Sequence, residues 1–183
     1  MKHLIIFILF CVQTSLYSQT NLKFNLLTAL VAAPNLGIET KIGSKTTFQI
    51  DALASYWKSF NGGPQQFLIV IPEIRYYTKT AFDGFFIGAH FGGSVYKLQK
   101  LNYFNTDRYQ KGFNYLIGAT IGYQYKINDK YSAEMFIGGG SQQAFYKGYS
   151  LSTGTRYDGA EGYNKSGEFF PYRIGMMIIY KLK

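Results

Sequence analysis

Few residues of this chain have the types and spacing that chemistry needs. Beyond the first twenty positions there is one histidine, His90, and the only cysteine is Cys11. One imidazole without thiolates does not make a zinc site of the usual nitrogen and sulfur donors, so no metal and no other cofactor is expected. His90 and Ser94 are four apart, and on a strand they share a face. With an acid such as Asp51 they would form a nucleophile, base and acid set able to cleave a lipid ester. That chemistry needs an exposed nucleophile at the lipid boundary; the plainer reading is an interior histidine in a hydrogen-bond network. Glu73 and Arg75, two apart, read either as a relay or as structural polar filling. Gly138-Gly139-Gly140 lacks the Lys-Ser/Thr tail of a phosphate loop and reads as a place where a strand bends or packs tightly. A protein that is not an enzyme is expected.

The elements that position these residues alternate in hydrophobicity every second position. Apolar residues make up 47% of the 183 positions and aromatics 19%, with 17 Tyr, 16 Phe and 20 Gly but a mean hydropathy of only −0.08. Such fine mixing favours strands. Eight segments of about ten residues follow one another, the length a tilted strand needs to cross a bilayer. They are Leu22 to Val31, Asn35 to Ile42, Thr46 to Trp57, Phe67 to Tyr77, Phe85 to Tyr96, Phe113 to Lys126, Tyr131 to Tyr146 and Phe170 to Leu182. The sixth is clearest: Tyr115, Ile117, Ala119, Ile121, Tyr123 and Tyr125 face one way, Gly118, Thr120, Gly122 and Gln124 the other.

The fourth segment decides which face meets lipid. Placing Arg75 on a lipid face at the midplane costs about 2–4 kcal/mol, and a one-residue slip would expose it with Glu73. The charged, glycine-rich face therefore points inward. Glu39, Asp51, Glu73 and Glu134 should meet Lys41, Arg75, Lys126 and Arg173 there, with His90, in a polar interior that an eight-stranded barrel has little room to leave open. Near-zero channel conductance follows. Short connectors at 43–45, 78–84 and 127–130 alternate with mostly longer ones at 58–66, 97–112 and 147–169, so each set occupies one end; short turns are periplasmic and long loops external in such barrels. The connector at 32–35 breaks the trend. Tyr76, Tyr123, Tyr125, Tyr131 and Tyr180 form one aromatic rim, and Tyr56, Phe67, Tyr115, Phe145 and Tyr172 the other.

At the N-terminus Lys2 and His3 precede an apolar run of about nine residues from Leu4 to Val12. This reads as a secretory signal cleaved after Ser18, too short to span a bilayer as a helix, leaving 19–183 as one domain. The formal charge of +9 is scattered, which argues against a nucleic-acid partner and fits basic loops near anionic lipid and lipopolysaccharide. The external loops carry Tyr103, Arg108, Tyr109, Tyr149, Arg156 and Tyr157, an interleaving of aromatic and basic groups suited to recognising sugar, lipopolysaccharide or protein. The plain alternative is generic surface loop.

Asn25-Leu26-Leu27, Asn35-Leu36-Gly37-Ile38-Glu39, Pro72-Glu73-Ile74-Arg75-Tyr76, Gly84-Phe85-Phe86-Ile87-Gly88 and Gly122-Tyr123-Gln124-Tyr125 occur in this order. On these residues the chain resembles a family of small Bacteroidota outer-membrane barrels catalogued as a domain of unknown function, across nearly the whole mature chain. The Pro-Glu-x-Arg-Tyr strand is the most specific part. The resemblance implies fold and location but no activity.

Together these readings predict an all-β protein: an eight-stranded antiparallel transmembrane up-and-down β-barrel with a filled polar interior. Its expected place is the Gram-negative outer membrane, with a structural or surface-recognition role. The alternatives are a soluble exported barrel binding a small ligand and a lipid-modifying hydrolase.

Overall fold

Strict alternation of apolar and polar side chains gives each strand one wet and one dry face, and a sheet of such strands hides its edges by closing. The computed structural model describes residues 19–59 and 62–182. The expected signal segment lies outside the described residues. Eight strands form one closed barrel in sequence order, each antiparallel to its neighbours: β1 (Thr20–Asn25), β2 (Asn35–Lys41), β3 (Thr46–Lys58), β4 (Pro64–Tyr77), β5 (Gly84–Leu98), β6 (Arg108–Lys126), β7 (Tyr131–Ser150) and β8 (Asn164–Lys181). Among the described residues no helix is long and apolar enough to cross a membrane.

The expected face assignment holds on β2 to β8. Ile50, Ile74, Ile87, Ile117, Ile137 and Ile174 are exposed on the outside, while Gln49, Glu73, Arg75, Glu134 and Arg173 are buried inside. The Tyr rim at the short-turn end also faces outward, with Tyr76, Tyr123, Tyr125, Tyr131 and Tyr180 all exposed.

Three expectations need correction. First, the strand expected over 22–31 ends at Asn25. The chain then turns into α1 (Leu26–Leu30), capped by the Asn25 side chain accepting from the Leu27 N–H. Asn25 is well suited to this, because its carboxamide satisfies a helix-terminal N–H that no carbonyl reaches. The connector at this end of the barrel is thus 26–34, and it no longer breaks the alternation of loop lengths; the short one is instead 59–63. Second, β6, β7 and β8 run 19, 20 and 18 residues, well beyond the 9–11 that cross a bilayer. Third, the Gly138/Gly139 register shift against β8 sets Arg173 opposite Gly138 and Pro171 opposite Gly139. Tyr172 is the extra residue of this bulge. It is turned inward rather than joining the outer aromatic rim, and Phe67 likewise lies on the inner face.

The barrel is lopsided. β1 and β2 have six and seven residues, and β1 pairs with β8 only from Asn21↔Lys181 to Asn25↔Met177. Above Met177, toward the long loops, β8 has β7 on one side and no strand on the other. Asn25 closes the end of this seam: its Nδ2 donates to the Ile174 carbonyl at 3.2 Å, and the Met176 N–H donates to its Oδ1 at 3.3 Å. Pro171, which has no N–H to leave unpaired, suits the open edge beyond.

Candidate functional site

The inner face splits into two halves along the barrel axis. The half nearer the short turns is packed with ions. Lys23 sits at its centre, fully buried, and donates to Glu39 Oε2 at 2.8 Å, Gln49 Oε1 at 2.8 Å and Glu134 Oε2 at 2.5 Å. Arg75 grips Glu134 through Nη1 at 2.9 and 3.0 Å and Glu73 through Nε and Nη2 at 3.1 and 3.0 Å. Arg173 bridges Glu73 at 3.0 Å and Asp51 at 2.5 Å, and also donates to Thr120. The Tyr77 hydroxyl donates to Glu39 Oε1 at 2.8 Å, and Thr47 donates to the same oxygen at 2.6 Å. Desolvated ions persist only where partners and extra hydrogen bonds surround them, and this cluster supplies both. Gly88 makes the room: a Cβ there would run into the Glu73 carboxylate.

The structure thus brings together Glu39, Asp51, Glu73, Arg75, Glu134 and Arg173 as expected. Lys41 and Lys126 do not join them. Both lie at strand ends and are exposed, and Lys126 pairs with Asp129 at 2.9 Å. Alternation assigned them the correct face but not the depth. Their place is taken by Lys23, which sequence reasoning missed. The one available signal was the short alternation of Asn21, Lys23 and Asn25 with Leu22 and Phe24.

His90 marks the border between the halves. Its Nε2 lies 2.7 Å from the Tyr172 hydroxyl and its Nδ1 3.1 Å from Thr120 Oγ1. Ser94 donates to Asn114 Oδ1 at 2.5 Å instead of facing the imidazole. The geometry is that of a histidine held by two hydroxyls, without the serine-to-imidazole bond that a hydrolytic set requires. Among the described residues no three His, Cys, Asp or Glu side chains gather for a metal ion.

Above His90 and Arg173, toward the long loops, the interior is not filled. It encloses a cavity of about 370 Å³. Its walls are mainly apolar, with Leu53, Ile69, Ile71 and Leu116 from β3, β4 and β6, and Phe67, Tyr96 and Tyr172 among the aromatics. Asp51 and Arg173, joined to each other, form its floor. The expectation of a filled polar interior therefore describes one half only. Alternation separates inside from outside, but it does not say how completely side chains of a given size fill a tapering space.

The loop residues are held mostly by one another. Tyr109 and Tyr149 are on strands rather than loops, opposite each other in the β6–β7 ladder, with rings stacked at 5.5 Å. Arg108, at the start of β6, lies 4.9 Å from the Tyr157 ring, and Tyr103 hydrogen-bonds Tyr157. Burial and that contact push the Tyr157 phenol up to about 12. Arg156 straps the 151–163 connector, binding Asp158 at 2.5 Å and the Gly162 carbonyl at 2.7 Å. Lys97 lies 5.0 Å from the Tyr109 ring and Lys147 4.8 Å from the Tyr163 ring. The outcome is a platform of cations laid on aromatic faces.

Comparison with known proteins adds a family. Residues 4–182 match the model of a family described as a protein of unknown function, DUF3575. No curated protein and no solved structure matches the chain. A match over nearly the full length places this chain in the DUF3575 family.

Proposed function

We propose that this protein is an outer-membrane barrel with surface recognition, rather than catalysis, at its loop end. The observation that carries the reading is the inverted distribution of side chains. Large apolar residues such as Phe91, Ile117, Met135 and Ile174 are more than 60% exposed on the outside, while Lys23, Glu39, Arg75 and Glu134 are fully buried inside. A water-soluble barrel would leave this apolar belt in contact with solvent, far more than the few hundred Å² that monomeric proteins expose. In lipid the belt is solvated, and the paired strands keep their ladder hydrogen bonds internal, with Asn25 meeting the β8 edge where the closing ladder ends. The short turns then face the periplasm and the platform of Arg108, Tyr109, Tyr149 and Tyr157 faces outward. Cations stacked on aromatic rings suit the phosphates and sugars of lipopolysaccharide, or an unidentified surface ligand or protein.

Membrane fractionation with gel electrophoresis before and after boiling tests the reading. The expected result is recovery with the outer membrane and a mobility shift on heating. Recovery in the soluble periplasmic fraction would overturn it.

A further inference from the structure

The cavity has the features of a binding site, and the sheet around it has a seam. A space of about 370 Å³ falls in the range of ligand pockets, ~300–1,000 Å³. Its apolar part is walled by Leu53, Ile69, Ile71 and Leu116, and polar side chains such as Asn35, Asn114 and Gln142 share the lining. It is blind, because the Asp51–Arg173–Glu73 bridges close its floor. Nothing long passes through, but a chain inserted from the loop side is held.

Two polar groups sit toward the loop end of the same wall. Inward positions on β5 climb from His90 at the floor through Ser94 and Tyr96, and Lys100 follows just beyond the strand; Tyr96 and Lys100 both line the cavity. The Tyr96 hydroxyl is buried on a residue only 8% exposed, and it has no hydrogen-bond partner among the described residues. A buried hydroxyl without a partner is costly, and an acceptor on a ligand would remove that cost. The neighbours that act on this hydroxyl are Tyr146 and Glu168, so the preference for an anionic acceptor rests on Lys100, which lines the cavity and lies over the Tyr146 ring.

The thinnest part of the wall is the seam above Met177. Ile174 is 61% exposed on the outer face and still lines the cavity, as does Thr28 of α1. Here the cavity is separated from the outside by the short helix packed against β8 rather than by a strand ladder, at the level of the outer apolar belt.

We propose that this cavity binds a hydrocarbon chain with an anionic head group, the chain against Leu53, Ile71 and Leu116 and the head group at Tyr96 and Lys100, with the β8–α1 seam as its access from the bilayer. The seam as a route rests on the outer face lying in lipid; the cavity and its orphan hydroxyl do not. Either a free fatty acid or an acyl chain of an anionic phospholipid supplies this chemistry.

The test uses the full-length mature barrel in lipid nanodiscs and spin-labelled stearate, read by electron paramagnetic resonance. The expected result is an immobilised component that Leu116→Trp abolishes by filling the cavity and that Ile117→Trp, on the lipid face, leaves intact. Heat-shift on a gel confirms that each variant is folded, and Leu116→Phe stands in if the tryptophan variant is not. Tyr96→Phe should weaken the labelled acid about tenfold, as loss of a hydrogen bond to a charged group does, and weaken its methyl ester, a poorer acceptor, much less. Repeating the measurement with spin-labelled phosphatidylglycerol separates the sources: a Leu116-sensitive component there marks a membrane lipid reaching through the seam, and one with the acid alone marks a free fatty acid. An incorporated barrel with no Leu116-sensitive component for either probe overturns the proposal. A protein that stays in water and does not incorporate counts against the membrane reading instead, and the acid is then titrated against the aqueous protein and its Leu116→Trp variant with the same criterion.

Discussion

The two halves of the barrel interior are made by the same strands with the same alternation, yet one is packed with ions and the other is hollow and oily. β4 shows both in one element. Glu73, Arg75 and Tyr77 project into the ionic half, and Phe67, Ile69 and Ile71, on the same face, line the cavity. The difference lies in what each side chain is asked to do. In the ionic half each of Lys23, Arg75 and Arg173 is held by several partners, and glycines such as Gly88 clear space for the cluster, although Glu73 Oε1 and Gln124 Nε2 have no partner among the described residues. In the hollow half the side chains line a space without filling it. Packing of the first kind serves stability and uniqueness; a space of the second kind serves occupancy.

The sharpest way to break the comparison is to remove one ion. Lys23→Met leaves Glu39 and Glu134 with Arg75 as their one shared cation, and breaking a buried ion cluster costs about 3–5 kcal/mol. Urea unfolding in detergent should show this loss. A change under 1 kcal/mol would mean that the cluster is not what holds the lower half together. A smaller effect is expected from Leu116→Ala. Buried Leu→Ala changes cost about 2–5 kcal/mol, more where a new void opens. Leu116 already borders empty space, so its loss belongs at about 2 kcal/mol or below. Equal losses for the two variants would erase the distinction drawn here.

The smallest effect belongs to the loop end, where stability should hardly depend on side chains. Burial raises the Asp158 carboxyl, but the Gly148 N–H and the Arg156 guanidinium outweigh it and hold the group below its ordinary 3.8. A lowered folded value means the strap contributes above the unfolded value and is lost as pH falls through the folded one. The 151–163 connector should therefore loosen in acid below about pH 4, seen as broadening of the Tyr157 and Tyr163 resonances, while the barrel unfolding midpoint in urea stays put.

Much of this architecture was legible in the sequence. The face of each strand from β2 onward followed from alternation, and Glu73 with Arg75 sufficed to turn it the right way. Four features were not legible, each for a physical reason. β1 is too short for alternation to distinguish it from the apolar helix that follows, so Lys23 was passed over. Depth is not encoded by alternation, so Lys41 and Lys126 were placed inside although water is within their reach at the strand ends. The bulge that turns Tyr172 inward depends on the Gly138/Gly139 shift in a partner strand about 30 residues away. The cavity depends on the volume left over when eight strands of unequal length close, which belongs to no single segment.

That inequality bears on how the barrel comes to be closed. All nineteen residues of β6 pair with β7, which follows it directly, whereas the closing ladder has only the five pairs between Asn21–Asn25 and Met177–Lys181. Hairpin pairings form early because they enclose short loops; the closing ladder must first gather nearly the entire chain. The β1–β2 hairpin already sets Lys23 beside Glu39, and closure adds the bond from Lys23 to Glu134 on β7. The last ladder thus works as a latch whose bolt is an ion pair drawn across the closing seam.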